Sequence, residues 1–224
     1  MNDKPETERK SSEPDQPQDQ IRREQAIEVI ITAILALATI ATAWSGYQAA
    51  RWGGLQSTLY SEAGTLRTES ARASSNYQRL AQIDLILYTN WAQAFATGNQ
   101  DLADFFEQRF RPKFKSVFEA WMASDPMNNP DASAGPFVMP EYDLSLRDEA
   151  IELEEEAAMT FQIGKDANQR SDQYIFNTVI LASVLFLAGI TSRFNWLPVR
   201  ATIALIASAI LVYGLFNIAT YPIL

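Results

Sequence analysis

Residues 29–50 read VIITAILALATIATAWSGYQAA, a run without a single Asp, Glu, Lys or Arg. A bilayer core takes roughly 20 apolar residues to cross as a helix, so this stretch has spanning length. Residues 174–192 and 201–224 are likewise uncharged. Aromatic side chains collect at the ends of these runs: Trp44, Tyr47 and Trp52, then Tyr174, then Phe194 and Trp196, then Tyr221. Amphipathic rings favour those positions at a membrane surface. The expected fold is therefore all-α: a three-span helical membrane protein with a long extramembrane, coiled-coil-like helical domain between spans one and two. The boundaries expected are span one over 27–50, the extramembrane domain over 51–173, span two over 174–193 and span three over 198–221.

Residues 1–26 are expected to be a disordered polar tail, because they are rich in Pro, Gln, Ser and Glu and poor in anything that could build a core. The Ala41-Thr42-Ala43 triplet imitates a signal-peptide cleavage site, but a long segment of mixed charge precedes it, so span one is expected to be an uncleaved anchor. Arg22 and Arg23 precede span one, and Arg193 and Arg200 bracket the hairpin between spans two and three. Arginines beside spans mark the cytoplasmic side, so residues 51–173 are expected outside the cytoplasm.

The chain as a whole has 224 residues, no Cys, no His and a formal net charge of −9. Disulfides, thiol nucleophiles, imidazole bases and Cys/His zinc sites are thereby excluded. The mean hydropathy of −0.13 resembles that of a soluble protein only because it averages unlike segments.

No breaker stronger than glycine follows span one, and Trp52, Leu59, Leu66, Ala73, Leu80, Leu87 and Ala94 recur every seventh residue. That is the seam of a coiled coil. The companion column of Gln56, Ala63, Ser70, Tyr77, Asp84 and Trp91 is half polar. The spacing predicts helices over about 51–97, 101–123 and 144–173, with a proline-rich loop over 124–143 and a stop at Thr97-Gly98-Asn99. At 1.5 Å per residue, the extension from about Ser45 to Thr97 projects on the order of 80 Å, and the other two helices sum to about the same length. Two returning helices stacked end to end along one outgoing helix is the economical arrangement.

Four features invite a functional reading. On a helical wheel, Phe106, Phe110, Phe114 and Phe118 form an apolar arc bordered by Arg109 and Lys113 on one side and by Arg111 and Lys115 on the other. As a candidate interaction surface the arc has the pattern of an interfacial membrane helix, but packing of the Phe face into the domain's own core is favoured, because the length arithmetic puts this helix far from the bilayer. Glu152, Glu154, Glu155 and Glu156 do not share one face and match no calcium loop, so they read as a solvated acidic face drawn to those cations. Thr32, Ala36, Thr39, Ala43 and Gly46 recur at spacings of four and three, a column that lets a second helix approach closely. Asn177 and Asn217 are the strongest polar groups in the spans, suited to bonding helices together or to lining a polar path.

No phosphate loop, nucleophile elbow or intramembrane charge is present, so neither catalysis nor proton-coupled transport is expected, nor any cofactor or metal. Residues 51–173 carry 19 acidic and 11 basic side chains, a balance that disfavours nucleic acid. The expected partners are the lipid bilayer, further copies of the chain and a protein at the helical domain.

The segments Trp44-Ser-Gly-Tyr47-Gln48-Ala-Ala-Arg51 and Arg193-Phe-Asn-Trp196, set in this layout, resemble an uncharacterised bacterial family of three-span inner-membrane proteins classed among domains of unknown function. The resemblance implies the membrane layout and no activity. Two functions fit: a non-catalytic oligomeric scaffold, or an oligomeric ion or solute channel lined by span one or span two.

Overall fold

A computed structural model describes residues 18–194 and 196–224. The protein is all-α: among the described residues there are five α-helices, a 3-10 turn at Pro136–Val138 and no strand. The helices are α1 (Gln18–Ala96), α2 (Gln100–Glu107), α3 (Pro112–Ala123), α4 (Ser145–Thr191) and α5 (Leu197–Thr220). Three of them, α1, α4 and α5, are long and apolar enough to cross a membrane.

The expected tail needs correction at its end. Residues 1–17 lie outside the described residues, but 18–26 form the first turns of α1. Their Gln, Arg, Glu and Ala side chains are good helix formers, and an apolar helix directly downstream supplies the nucleus.

Two compact units divide the chain: the described part of Met1–Gln56 with Lys165–Leu224, and Ser57–Gly164. In the first unit three helices share an apolar core of Ile31, Ile34, Ala38 and Ala41 from α1, Leu181, Val184 and Ala188 from α4, and Ala204, Ala207 and Leu211 from α5. Each set recurs at three and four residues, the period of one helix face. Gly214 lets α4 approach α5 closely, since a Cβ there would stand 2.8 Å from Leu181 Cδ2.

In the second unit, the pairing of α1 with α4 is antiparallel. Tyr60 stacks on Phe161 at 4.9 Å between ring centroids, Arg67 faces Glu154, and the Ser70 hydroxyl donates to the Ala150 carbonyl at 2.7 Å. Further along α1, Trp91 meets Phe118 of α3 edge to face at 4.6 Å. Ala63, Ser70, Ala73, Asp84, Trp91 and Ala94 are buried on α1, while Leu59, Leu66, Leu80 and Leu87 are half-buried.

The single helix expected over 101–123 is instead two, separated at residues 108–111. Pro112 is the cause: its ring would clash with the carbonyl of residue 108, and it drives Arg111 to extended backbone at φ −59, ψ 144. As the first residue of α3, the same proline is well placed. The preceding stop occurs where the sequence puts it, with Gly98 at φ 74 after α1 and the Asn99 side chain accepting the Leu102 N–H to cap α2.

Candidate functional site

The first unit carries a layer of polar side chains joining all three membrane-length helices. Asn177 on α4 is wholly buried. Its Nδ2 donates to Ser45 Oγ of α1 at 3.1 Å and to the Gly214 carbonyl of α5 at 3.3 Å, and its Oδ1 accepts from Asn217 Nδ2 at 3.2 Å. Both amide hydrogens and the carbonyl oxygen are thus used. Inside a bilayer, where water cannot substitute, such closure joins the helices rather than opening a path between them.

One turn further along α1, Gln48 is buried, and its Oε1 accepts the Leu224 N–H at 3.2 Å while its Nε2 meets no acceptor. The Ser171 hydroxyl donates to the Ala49 carbonyl at 2.9 Å. Trp52 Nε1 and the Tyr174 hydroxyl both donate to the Pro222 carbonyl, at 3.2 and 3.3 Å. Sequence reasoning passed over Ser45, Gln48 and Ser171. The signal was there: 45, 48 and 52 on α1, and 171, 174 and 177 on α4, place polar or amphipathic groups on one face of each helix.

The small-residue column lies elsewhere. Thr32, Ala36, Thr39, Ala43 and Gly46 are all exposed, and the α1 face turned to the other helices is that of Ile31, Ile34, Ala38, Ala41, Ser45 and Gln48. Small residues occur on both faces, so they do not decide the rotation of the helix. The buried face is the one that offers Ser45 to Asn177. The Thr32 and Thr39 hydroxyls turn back to the carbonyls of Glu28 and Leu35, so the outer face presents no unsatisfied hydroxyl there.

In the second unit, Phe110, Phe114 and Phe118 are buried and Phe106 is partly so, packed with Trp91, Trp121 and Tyr142. The aromatic arc is core. Each buried Phe is worth about 2–3 kcal/mol of burial, which outweighs any exposed docking role for these rings. The bordering cations find partners, though not the expected ones. Arg111 grips buried Asp84 with two hydrogen bonds, Nε to Oδ1 at 2.8 Å and Nη2 to Oδ2, and the Tyr142 hydroxyl donates to the same carboxylate at 3.4 Å. This bond holds the Arg111 guanidinium above its usual range. Burial, then the Asp84 charge, pushes the Tyr142 phenol up to about 12.

Lys113 reaches Asp143 at 2.7 Å. That bond first, and Ser145 second, hold the Asp143 carboxyl down at about 2. Lys115 stands 3.9 Å from both Glu107 and Glu119, and the Arg109 guanidinium lies 3.3 Å from the Phe105 ring centre. Of the acidic run 152–156, Glu154 faces Arg67 at 3.8 Å, and all four glutamates are exposed. The expected attraction to the Phe-helix cations is therefore replaced by closer carboxylates. Chemically, Asp84 with Arg111 and Tyr142 is a cross-brace between α1, α3 and the loop before α4. No three acidic side chains among the described residues come together as a metal site.

No family model matches the chain, and no match was found among curated proteins or solved structures.

Proposed function

We propose that the protein is a non-catalytic, oligomeric scaffold of the bacterial inner membrane, anchored by α1, α4 and α5 and presenting residues 51–173 outside the cytoplasm to a protein partner. The observation that carries this reading is the Asn177 layer. The strongest intramembrane polar groups are consumed in bonds between helices of one chain, which favours an anchor over a conduit. The outward column of Thr32, Ala36, Thr39, Ala43 and Gly46 supports self-association, since small side chains allow a second backbone to come close. The channel reading would need a pore between copies rather than within one. The family resemblance of the 44–51 and 193–196 segments fits the scaffold reading and adds no activity.

Because the chain has no Cys, single thiols report cleanly. Oxidation of native membranes should cross-link Ala43→Cys into dimers and leave Ala38→Cys, on the buried face, monomeric. Equal monomer in both would remove the oligomer. An impermeant thiol reagent applied to intact cells should label exposed Ala134→Cys and spare Ser192→Cys. The opposite pattern would invert the orientation.

A further inference from the structure

Beyond the last turn of α5, residues 221–224 bond to the end of the first unit's bundle that carries Trp52 and Tyr174. Tyr221 leaves the helix in extended backbone, at φ −78 and ψ 142, and Pro222 behind it has no N–H with which to resume helical bonding. The Pro222 carbonyl then accepts from two helices at once, from Trp52 Nε1 of α1 at 3.2 Å and from the Tyr174 hydroxyl of α4 at 3.3 Å. Two residues on, the Leu224 N–H donates to Gln48 Oε1 of α1 at 3.2 Å. The Tyr221 and Tyr174 rings meet edge to face at 5.4 Å.

This segment has little apolar grip. Ile223 and Leu224 are 65% and 39% exposed, so polar bonds to its backbone hold it in place. Gln48, the residue it closes on, is wholly buried, yet the Nε2 of that amide meets no acceptor. A buried donor without a partner carries a free-energy cost that water would relieve. Closure is thus favoured by three neutral hydrogen bonds and opposed by one orphaned donor of comparable size. One turn deeper lie the wholly buried Ser45 and Asn177, so polar groups lead inward from Gln48 to the layer that joins the three helices.

We infer that residues 221–224 are a releasable strap over this end of the bundle. Closed, the strap keeps water from Gln48 and the Asn177 layer. Lifted, it gives Gln48 Nε2 a water to donate to and frees the end of α5 from Trp52 and Tyr174. The apolar core of Ile31, Ile34, Leu181, Val184, Ala207 and Leu211 contributes no bond to the strap and stays packed in both states. The inference goes beyond the scaffold reading and depends on neither its orientation nor its partner.

The test uses the full chain in phosphatidylcholine nanodiscs, which leave both faces open to a small water-soluble methanethiosulfonate reagent. Ser45→Cys places the thiol beneath the strap, Ala207→Cys places one in the apolar core, and Ala134→Cys is an exposed reference. The Ser45→Cys thiol should react measurably, but far more slowly than the Ala134→Cys thiol. Adding Trp52→Phe/Tyr174→Phe keeps both rings, removes both donors to Pro222, and should speed the reaction at Ser45→Cys about tenfold. Trp44→Phe/Tyr47→Phe, which removes the same groups from exposed rings, should leave the rate unchanged, and Ala207→Cys should stay unreactive throughout. Equal rates with and without the Pro222 donors would overturn the strap. So would a matching rise at Ala207→Cys, which would mean a loosened bundle, or a matching rise with Trp44→Phe/Tyr47→Phe. A Ser45→Cys thiol as reactive as the exposed reference would mean that nothing is closed, and one that never reacts in any background would mean that nothing lifts.

Discussion

Asp84 precedes Arg111 by 27 residues, and its wholly buried carboxylate takes both the Nε and the Nη2 hydrogens of that arginine. A charge held this way depends on its partner. Asp84→Ala leaves the guanidinium facing the aromatic core and strips the Tyr142 hydroxyl of its acceptor, at an expected cost of about 3 kcal/mol. Hydrogen exchange should show residues 84–95 losing protection first. The pair Asp84→Asn/Arg111→Met should restore most of the loss, because no charge is then left unpaired. A double variant as weak as the single would contradict the cross-brace.

Asn177→Leu removes three bonds at once and leaves Asn217 and Ser45 without their partner in the layer. Helix association should weaken by about 0.6–2 kcal/mol, measured by steric trapping in bilayers. Conductance of reconstituted protein should stay at background before and after the change. Wild-type currents that fall in the variant would favour the channel.

The two glycines Gly164 and Gly64 should respond in opposite directions to alanine. A Cβ on Gly164 would stand 2.7 Å from the Tyr60 ring and 3.2 Å from Leu59 Cβ, whereas one on Gly64 meets nothing within 4 Å. Gly164→Ala should cost about 1–3 kcal/mol by overpacking and disturb the Tyr60–Phe161 stack. Gly64→Ala should gain up to about 1 kcal/mol of helix propensity. Thermal unfolding of the two variants, side by side, gives the sign of each.

The Lys113–Asp143 bond sets a pH window. Asp143 titrates at about 2 in the folded chain against 3.8 as a free side chain, so its contribution is present above about pH 4 and is lost as pH falls toward 2. Both partners are partly solvated, which keeps the contribution under about 1 kcal/mol. Carboxyl NMR should find the low midpoint, and Lys113→Met should move it up toward the free value. An unchanged midpoint in that variant would assign the effect to Ser145 instead.

The helical class and the three membrane-length segments are legible in the sequence because charge-free runs and heptad spacing are one-dimensional signals. The Asn177 bonds are less so, since sequence identifies a polar group in a span but not its partner. The break at Pro112 was readable from the proline itself, yet the unbroken four-residue spacing from Phe106 to Phe118 masked it. Rotation of α1 was not readable from residue size. Both faces carry small residues, and the choice falls to Ser45, whose partner is 132 residues away. Asp84 belongs to the half-polar companion column, whose spacing gives no hint of Arg111 and Tyr142, the partners that account for its burial.

The contact of Gly164 with Leu59 and Tyr60 has a consequence for the order of folding. Joining Ser45 to Asn177 directly would close a loop of 132 residues. Once Ser57–Gly164 has folded, positions 60 and 164 are already neighbours, and the open chain left to close shrinks to about 30 residues, lowering the entropic cost by about 1.4 kcal/mol. The Ser57–Gly164 unit therefore works as a stitch, shortening the effective contact order of the bundle. A substitution that loosens the 60–164 junction should slow the assembly of the bundle, including the docking of α5, which the junction does not touch.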